Sequence, residues 1–242
     1  LALTSKLYPK LWDLLLYTDY RSSVYPLGSM LLDSNLVNAN SYKKQKALVL
    51  RTAKSYSAEK KSKRSYRSSI KLKDTDYSYS FGKKREYAIS PIDQFNITAF
   101  LKLLMPYYSK DQKVKAYINS LLDHQDKDYQ FVATVLLTQY NIPLHDSVYV
   151  SLSKNPTYRF AFYKALNFIG KAHYFDSTYL SQKDMMESVI LSSSSINVED
   201  SVAFVERRYI KNKYEEGYVY FFKHQSNYNH KWYLHYAGLQ PK

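Results

Sequence analysis

The chain has 242 residues, room for one domain or two small ones. Apolar residues make up 45%, enough for a real core, and 35 Lys+Arg against 21 Asp+Glu set a formal charge of +14. The absence of Cys excludes disulfides, thiolate metal sites, iron–sulfur clusters and cysteine nucleophiles. Five scattered Gly cannot assemble a glycine-rich phosphate loop.

No apolar run approaches the roughly 18–20 residues that span a bilayer. The chain begins at Leu1, without a basic stretch followed by an apolar one, so it reads as a fragment or processed piece of something longer. A targeting signal would then lie upstream. The positive charge has two readings. Eight of the basic residues are Arg and the rest are Lys, and Tyr is abundant at 27. Lys, Asn and Tyr share A/T-rich codons, so genome composition alone produces this bias. The functional reading is a surface that attracts nucleic acid, anionic lipid or polysaccharide.

Most of the chain reads as short amphipathic helices. Leu11, Leu14 and Leu15 share a face with Tyr8 over residues 7–17, with Pro9 in the first turn. Val24, Leu27 and Leu31 form a stripe over 22–32. Tyr42, Val49, Ala53 and Tyr56 align over 40–56, behind an Asn40–Ser41 cap signal. The stretch from Lys54 to Lys84 breaks the pattern. It is rich in Lys, Arg and Ser and poor in large apolar residues, and it reads as an exposed basic loop with a short strand pair near 74–81. Its candidate contacts to an anionic partner are Lys60, Lys61, Lys63, Arg64, Arg67, Lys71 and Lys73.

Helical periodicity returns with Ile97, Phe100, Leu101 and Leu104, which Pro106 stops. It recurs over 111–123 and over 126–140, and a short helix covers 146–153. Residues 155–169 are the best delimited: Asn155 as cap, Pro156 at the first position, Gly170 past the end. Ser181 and Asp184 stand in capping-box spacing before 181–191. After Ser192–Ser195 the period falls to two. Residues 201–205, 217–223 and 231–238 are rich in Val, Tyr and Phe and separated by turn signals, which predicts a small antiparallel meander. Three strands alone are marginal, so one face should pack on the last helices.

Met30-Leu31-Leu32-Asp33 is echoed by Ser120-Leu121-Leu122-Asp123, and at the same offset Leu14, Tyr17 and Val24 match Leu104, Tyr107 and Val114. Tyr42 and Tyr129 correspond after a three-residue gap. This suggests HEAT-type helical units of roughly 40 residues. The same match arises between any two amphipathic hairpins.

No catalytic residue, metal-ligand set or cofactor is assigned. His224, His230 and His235 fall in the predicted sheet. His230 and His235 are five apart, so they fall on opposite faces of a strand and do not converge; a metal site requires the hairpin to bring His224 across, and exposed strand histidines are the simpler expectation. Residues Asp123 to Asp128 gather carboxylates beside His124 but lack the glycine and distal Glu of a calcium loop, so Asp126 reads as a helix cap. Ser192–Ser195 lacks a nucleophile elbow. Glu206, Arg207 and Arg208 read as a solvated rim after a strand, and Glu215 and Glu216 diverge in a turn. The aromatics, 17% of the chain, read mostly as core and rim, with Tyr218, Tyr220 and Phe222 on one sheet face and Phe221 on the other.

The C-terminal unit comprises Asp200 to Val205, Gly217 to Lys223, Trp232 and Gly238-Leu239-Gln240-Pro241. It resembles the tail of long bacterial cell-envelope proteins of the TraB/GumN-like type, in which a hydrolase-like domain precedes a helical region ending in such a sheet. The resemblance implies an exported parent and places any metal-dependent hydrolase chemistry in a domain whose motifs this sequence does not contain. No functional residue carries over, and the Lys54–Lys84 stretch has no counterpart.

The expected fold is therefore mostly α, a HEAT-like stack of helical hairpins closed by a small C-terminal antiparallel sheet. The expected organisation is a first helical unit at 1–56, a basic loop at 57–92, a second helical unit at 93–195 and the meander at 196–242. The expected function is a non-catalytic protein-interaction or scaffold module in the cell envelope or periplasm, binding an unidentified protein. The alternative is a basic helical-repeat nucleic-acid-binding protein, cytoplasmic if the resemblance fails. It ranks second because Arg, the preferred residue for phosphate and base recognition, is scarce.

Overall fold

The structure, a computed structural model, describes residues 28–33, 39–63, 91–192, 201–211, 216–226 and 230–240. The protein is mostly helical with a small C-terminal antiparallel sheet. The helix expected at 7–17, the strand pair near 74–81 and Ser193 to Ser195 lie outside the described residues, and 28–33 is helical. The helices are α1 Lys46–Lys63, α2 Pro91–Leu104, α3 Gln112–Ser120, α4 Lys127–Gln139, α5 Asp146–Lys154, α6 Arg159–Phe168 and α7 Gln182–Leu191. No helix among the described residues is long and apolar enough to cross a membrane.

The first two helices, α1 and α2, depart from their expected bounds. Residues 39–42 form a 3₁₀ turn, so α1 begins at Lys46 rather than at the Asn40 cap. It then runs past Tyr56 to Lys63, because Ala58, Glu59, Lys60 and Lys61 are strong helix formers with no Gly or Pro among them. The basic segment is thus helical over its first residues, and Pro91 opens α2 inside what was expected as loop, at the position where a missing N–H costs nothing.

The described residues fall into two compact units. The first contains 28–33, 39–63 and 91–143, and the second contains 144–192 and the sheet. The division falls between Pro143 and Leu144, inside the 93–195 segment that periodicity groups as one. The tetrapeptide echo does not share one local structure either. Met30 to Asp33 are helical, whereas Leu121 to Asp123 form the turn after α3.

In the first unit α1 packs on α2 and α2 on α4. Leu101, Leu103, Leu104, Ile118 and Ala133 are fully buried. Tyrosine supplies much of the rest. Tyr42 is buried and donates to the Leu103 carbonyl at 3.1 Å, Tyr117 donates to the Ala53 carbonyl at 2.9 Å, and Tyr107 donates to the Ala39 carbonyl. Burial pushes the Tyr117 hydroxyl up to about 12 and that of Tyr42 further still, so both remain protonated donors. Asp111 caps α3 by accepting from the N–H groups of Lys113 and Val114 and also pairs with Lys46 of α1. The Lys46 ammonium holds its carboxyl below the usual range.

In the second unit α5 packs on α6, α6 on α7, and α7 on the sheet. Its hub is Arg159, a buried cation at the start of α6. The guanidinium donates to the carbonyls of Ser153 at 3.1 Å, Lys154 at 3.1 Å and Asp184 at 3.0 Å, and to the Glu187 carboxylate at 3.3 Å. It also lies over the Tyr179 ring. One planar fork thereby satisfies the C-terminal carbonyls of α5 and fixes α7. Asn155 caps a turn rather than α6 itself: its side chain accepts from Thr157 and the helix follows at Arg159. Ser181 accepts from the Asp184 N–H at 3.1 Å, as its spacing predicts.

Gly170 ends α6 with φ of 70°, where Gly170 N–H donates to Asn167 and Lys171 N–H to Leu166. Asn141 closes α4 in the same way, with φ of 56°. A Cβ at Gly170 meets nothing within 4 Å, so Gly170→Ala is strained only through its backbone. We expect it to cost about 1 kcal/mol in urea unfolding. Arg159→Ala should cost roughly 3 kcal/mol, because it leaves carbonyls and Glu187 without their cation. Arg159→Lys should recover only part of this, because a single ammonium cannot reach four acceptors.

Candidate interaction surface

The strands among the described residues are β1 Ser201–Lys211, β2 Glu216–Gln225 and β3 Trp232–Gln240, paired antiparallel in the order β1-β2-β3. The meander is the one expected, with longer strands. Glu206, Arg207 and Arg208 lie inside β1, not on a rim beyond it. The register shift between Phe204 and Glu206 leaves Val205 as the extra residue of a bulge.

Alternation along β2 sorts the sheet into two faces. Tyr220, Phe222 and His224 are buried on the inner face, with Phe204 opposite Phe222 and Ala237 opposite Tyr220. This face packs on α7, where the Tyr220 hydroxyl donates to Gln182 Oε1 at 2.6 Å. An open groove beside it is lined by Ser181, Lys183, Phe204 and Arg207.

The outer face carries Phe221, Lys223 and Gln225 of β2. Register sets Glu206 and Tyr236 on either side of Phe221, Leu234 across from Lys223, and Trp232 across from Gln225. Trp232 is 52% exposed, Leu234 65% and Tyr236 71%. A folded chain seldom leaves three large apolar side chains on one short strand in water. Cations are set among them. Lys223 lies 4.8 Å from the Trp232 ring and Arg208 lies 5.6 Å from the Phe221 ring, in the range of cation–π attraction. Glu206 pairs with Arg208 at 2.6 Å. Sequence reading separated Phe221 from Tyr220 and Phe222 but missed this face. Its signal was present in the alternation of Trp232, Leu234 and Tyr236.

The histidines correct an expectation. The hairpin carries His224 across to His235, and their ring centroids are 4.5 Å apart on the inner face. His224 is buried and stacks on Tyr233, whereas His235 is half-buried, so neither is an exposed strand histidine. His230 sits in the connecting turn with φ of 55°. Two imidazoles meet here, and no group of three or more metal-ligating side chains forms among the described residues. His124 accepts from the Asp126 N–H at 3.0 Å and Asp126 caps α4, so the Asp123–Asp128 segment shapes a helix start.

Of the basic candidates, Lys60, Lys61 and Lys63 lie on the last turns of α1. Arg64, Arg67, Lys71 and Lys73 lie outside the described residues. The first unit has a groove of its own, lined by Met30, Ala99, Val132 and Leu136 and edged by the Lys102–Asp33 ion pair at 2.5 Å. No protein-family model, curated protein or solved structure matches the chain.

Burial, followed by the neighbouring His224, pushes His235 below its ordinary 6.5. The unfolded chain then binds a proton more readily than the folded one, so stability falls as pH drops through about 6.5. The thermal midpoint should decline between about pH 7 and pH 5, and His235→Gln should flatten part of that slope. An identical slope in the variant would remove the assignment. Asp111 acts in a separate window, below 3.8.

Proposed function

We propose that this chain is a non-catalytic interaction module whose working surface is the outer face of the sheet. The observation that carries this reading is the exposure of Trp232, Leu234 and Tyr236 side by side on β3. Leaving that apolar surface in water forgoes burial worth roughly 25 cal/mol per Å². A partner that covers the face recovers it. In the form suggested by the resemblance, the module is the scaffold or protein-interaction part of a larger exported TraB/GumN-like protein in the cell envelope or periplasm. In the second form it is a basic helical-repeat nucleic-acid-binding protein. A specific observation favours the second form: Lys223 stands over Trp232 among the exposed outer-face aromatics, where a polyanion would meet it.

The reading requires that the chain itself turns nothing over. Purified chain assayed with generic peptide, ester and glycoside substrates should match buffer. Turnover that disappears in a His224→Ala or His235→Ala variant with unchanged circular dichroism would replace the module with a hydrolase.

A further inference from the structure

We infer that the outer face of the three-stranded sheet is a stacking platform for single-stranded nucleic acid. The inference rests on the reading of that face as the working surface and names its occupant. Bases offer π-faces that stack on aromatic side chains without regard to sequence, and cations between the rings meet the phosphates. The outer face has both parts. Trp232 and Tyr236 present exposed rings, the half-buried Phe221 lies beside Tyr236, and Lys223 and Arg208 stand 4.8 Å and 5.6 Å from the rings of Trp232 and Phe221.

The geometry suits an extended strand. Trp232, Leu234 and Tyr236 alternate along β3, so successive positions are about 6.8 Å apart, twice the rise per residue. A single strand laid along β3 can place unstacked bases on Trp232 and Tyr236 with the shorter Leu234 between them. Phe221 lies across from Tyr236, with ring centroids 6.4 Å apart, and widens the platform at that end.

Charge selects among occupants. A second copy of this chain would bring +14 against +14, which opposes self-association through the face. The Glu206 carboxylate on this face is held by Arg208, so it does not offer a free anion to a basic partner. A polyanion gains from Lys223 and from the field of the whole chain, while Arg208 shares its charge with Glu206. Duplex nucleic acid keeps its bases stacked internally and cannot use the rings, so the platform discriminates for single strands.

The test is titration of the full chain with fluorescein-labelled dT15 and U15 at 50 and 200 mM salt, read by anisotropy and by tryptophan emission. Both oligonucleotides should bind at 50 mM and quench emission. Binding should weaken with salt, and a matched duplex should bind at least tenfold more weakly. Trp232→Ala and Tyr236→Ala should each weaken binding about tenfold, and Trp232→Ala should also lose the quench. Lys223→Gln should reduce the salt slope by about one phosphate. Phe168→Ala, which removes a 91% exposed ring on α6, should change nothing.

The inference is overturned if neither oligonucleotide binds at 50 mM salt. It is equally overturned if duplex binds as tightly as single strand and Trp232→Ala and Tyr236→Ala have no effect, because binding would then be purely electrostatic. Both variants should keep the wild-type thermal midpoint, since both side chains are exposed. If one does not, the other and the Lys223→Gln slope decide. Failure here leaves the module reading standing, because that reading falls only to turnover by the chain itself.

Discussion

A buried tyrosine brings a polar hydroxyl into the core with its ring, and the hydroxyl must find an acceptor there. In the first unit the acceptors are backbone carbonyls of distant segments: Leu103 for Tyr42, Ala39 for Tyr107, Ala53 for Tyr117. Each bond ties a ring to a segment far away in sequence, and an unmet hydroxyl would cost roughly 1–3 kcal/mol. The core is thus specified in register as well as filled. A leucine core of equal volume would fill the same space with less selectivity among helix registers. Asp111 adds to the same constraint by capping α3 while holding Lys46 of α1.

The second unit solves a related problem with one cation. The short helices α5, α6 and α7 each span nine or ten residues and would be marginal alone. Arg159 collects the carbonyls at the end of α5 and reaches α7 from the start of α6. Ser188 of α7 in turn accepts the Phe160 N–H of α6 at 2.9 Å. With α7 held in place, its side chains cover the inner sheet face, and Tyr220, Phe222 and His224 are buried there.

Burying the inner face defines the outer one. Because side chains alternate on a strand, every residue that orders Tyr220 and Phe222 inward turns Phe221 and Lys223 outward. Antiparallel register then carries the same division to β3, where Trp232, Leu234 and Tyr236 follow Gln225, Lys223 and Phe221. The surface proposed for binding is therefore a consequence of the packing of α7, reached through two strand pairings.

Local signals in the sequence were enough to determine the helical class, the antiparallel meander, the capping of α4 by Asp126 and of α7 by Ser181, and the end of α6 at Gly170. These depend on neighbours three or four residues away, or on one residue's tolerance of positive φ. The extension of α1 to Lys63 was masked by its charge, since propensity there favours helix while composition suggests loop. Tertiary structure alone decided the rest. It placed the unit boundary at Pro143, made Arg159 a hub, brought His224 beside His235, and left three apolar side chains of β3 in solvent. Each of these depends on which residues meet across strands or helices. That meeting is set by register and by long-range burial, and neither is encoded in the spacing of residues along the chain.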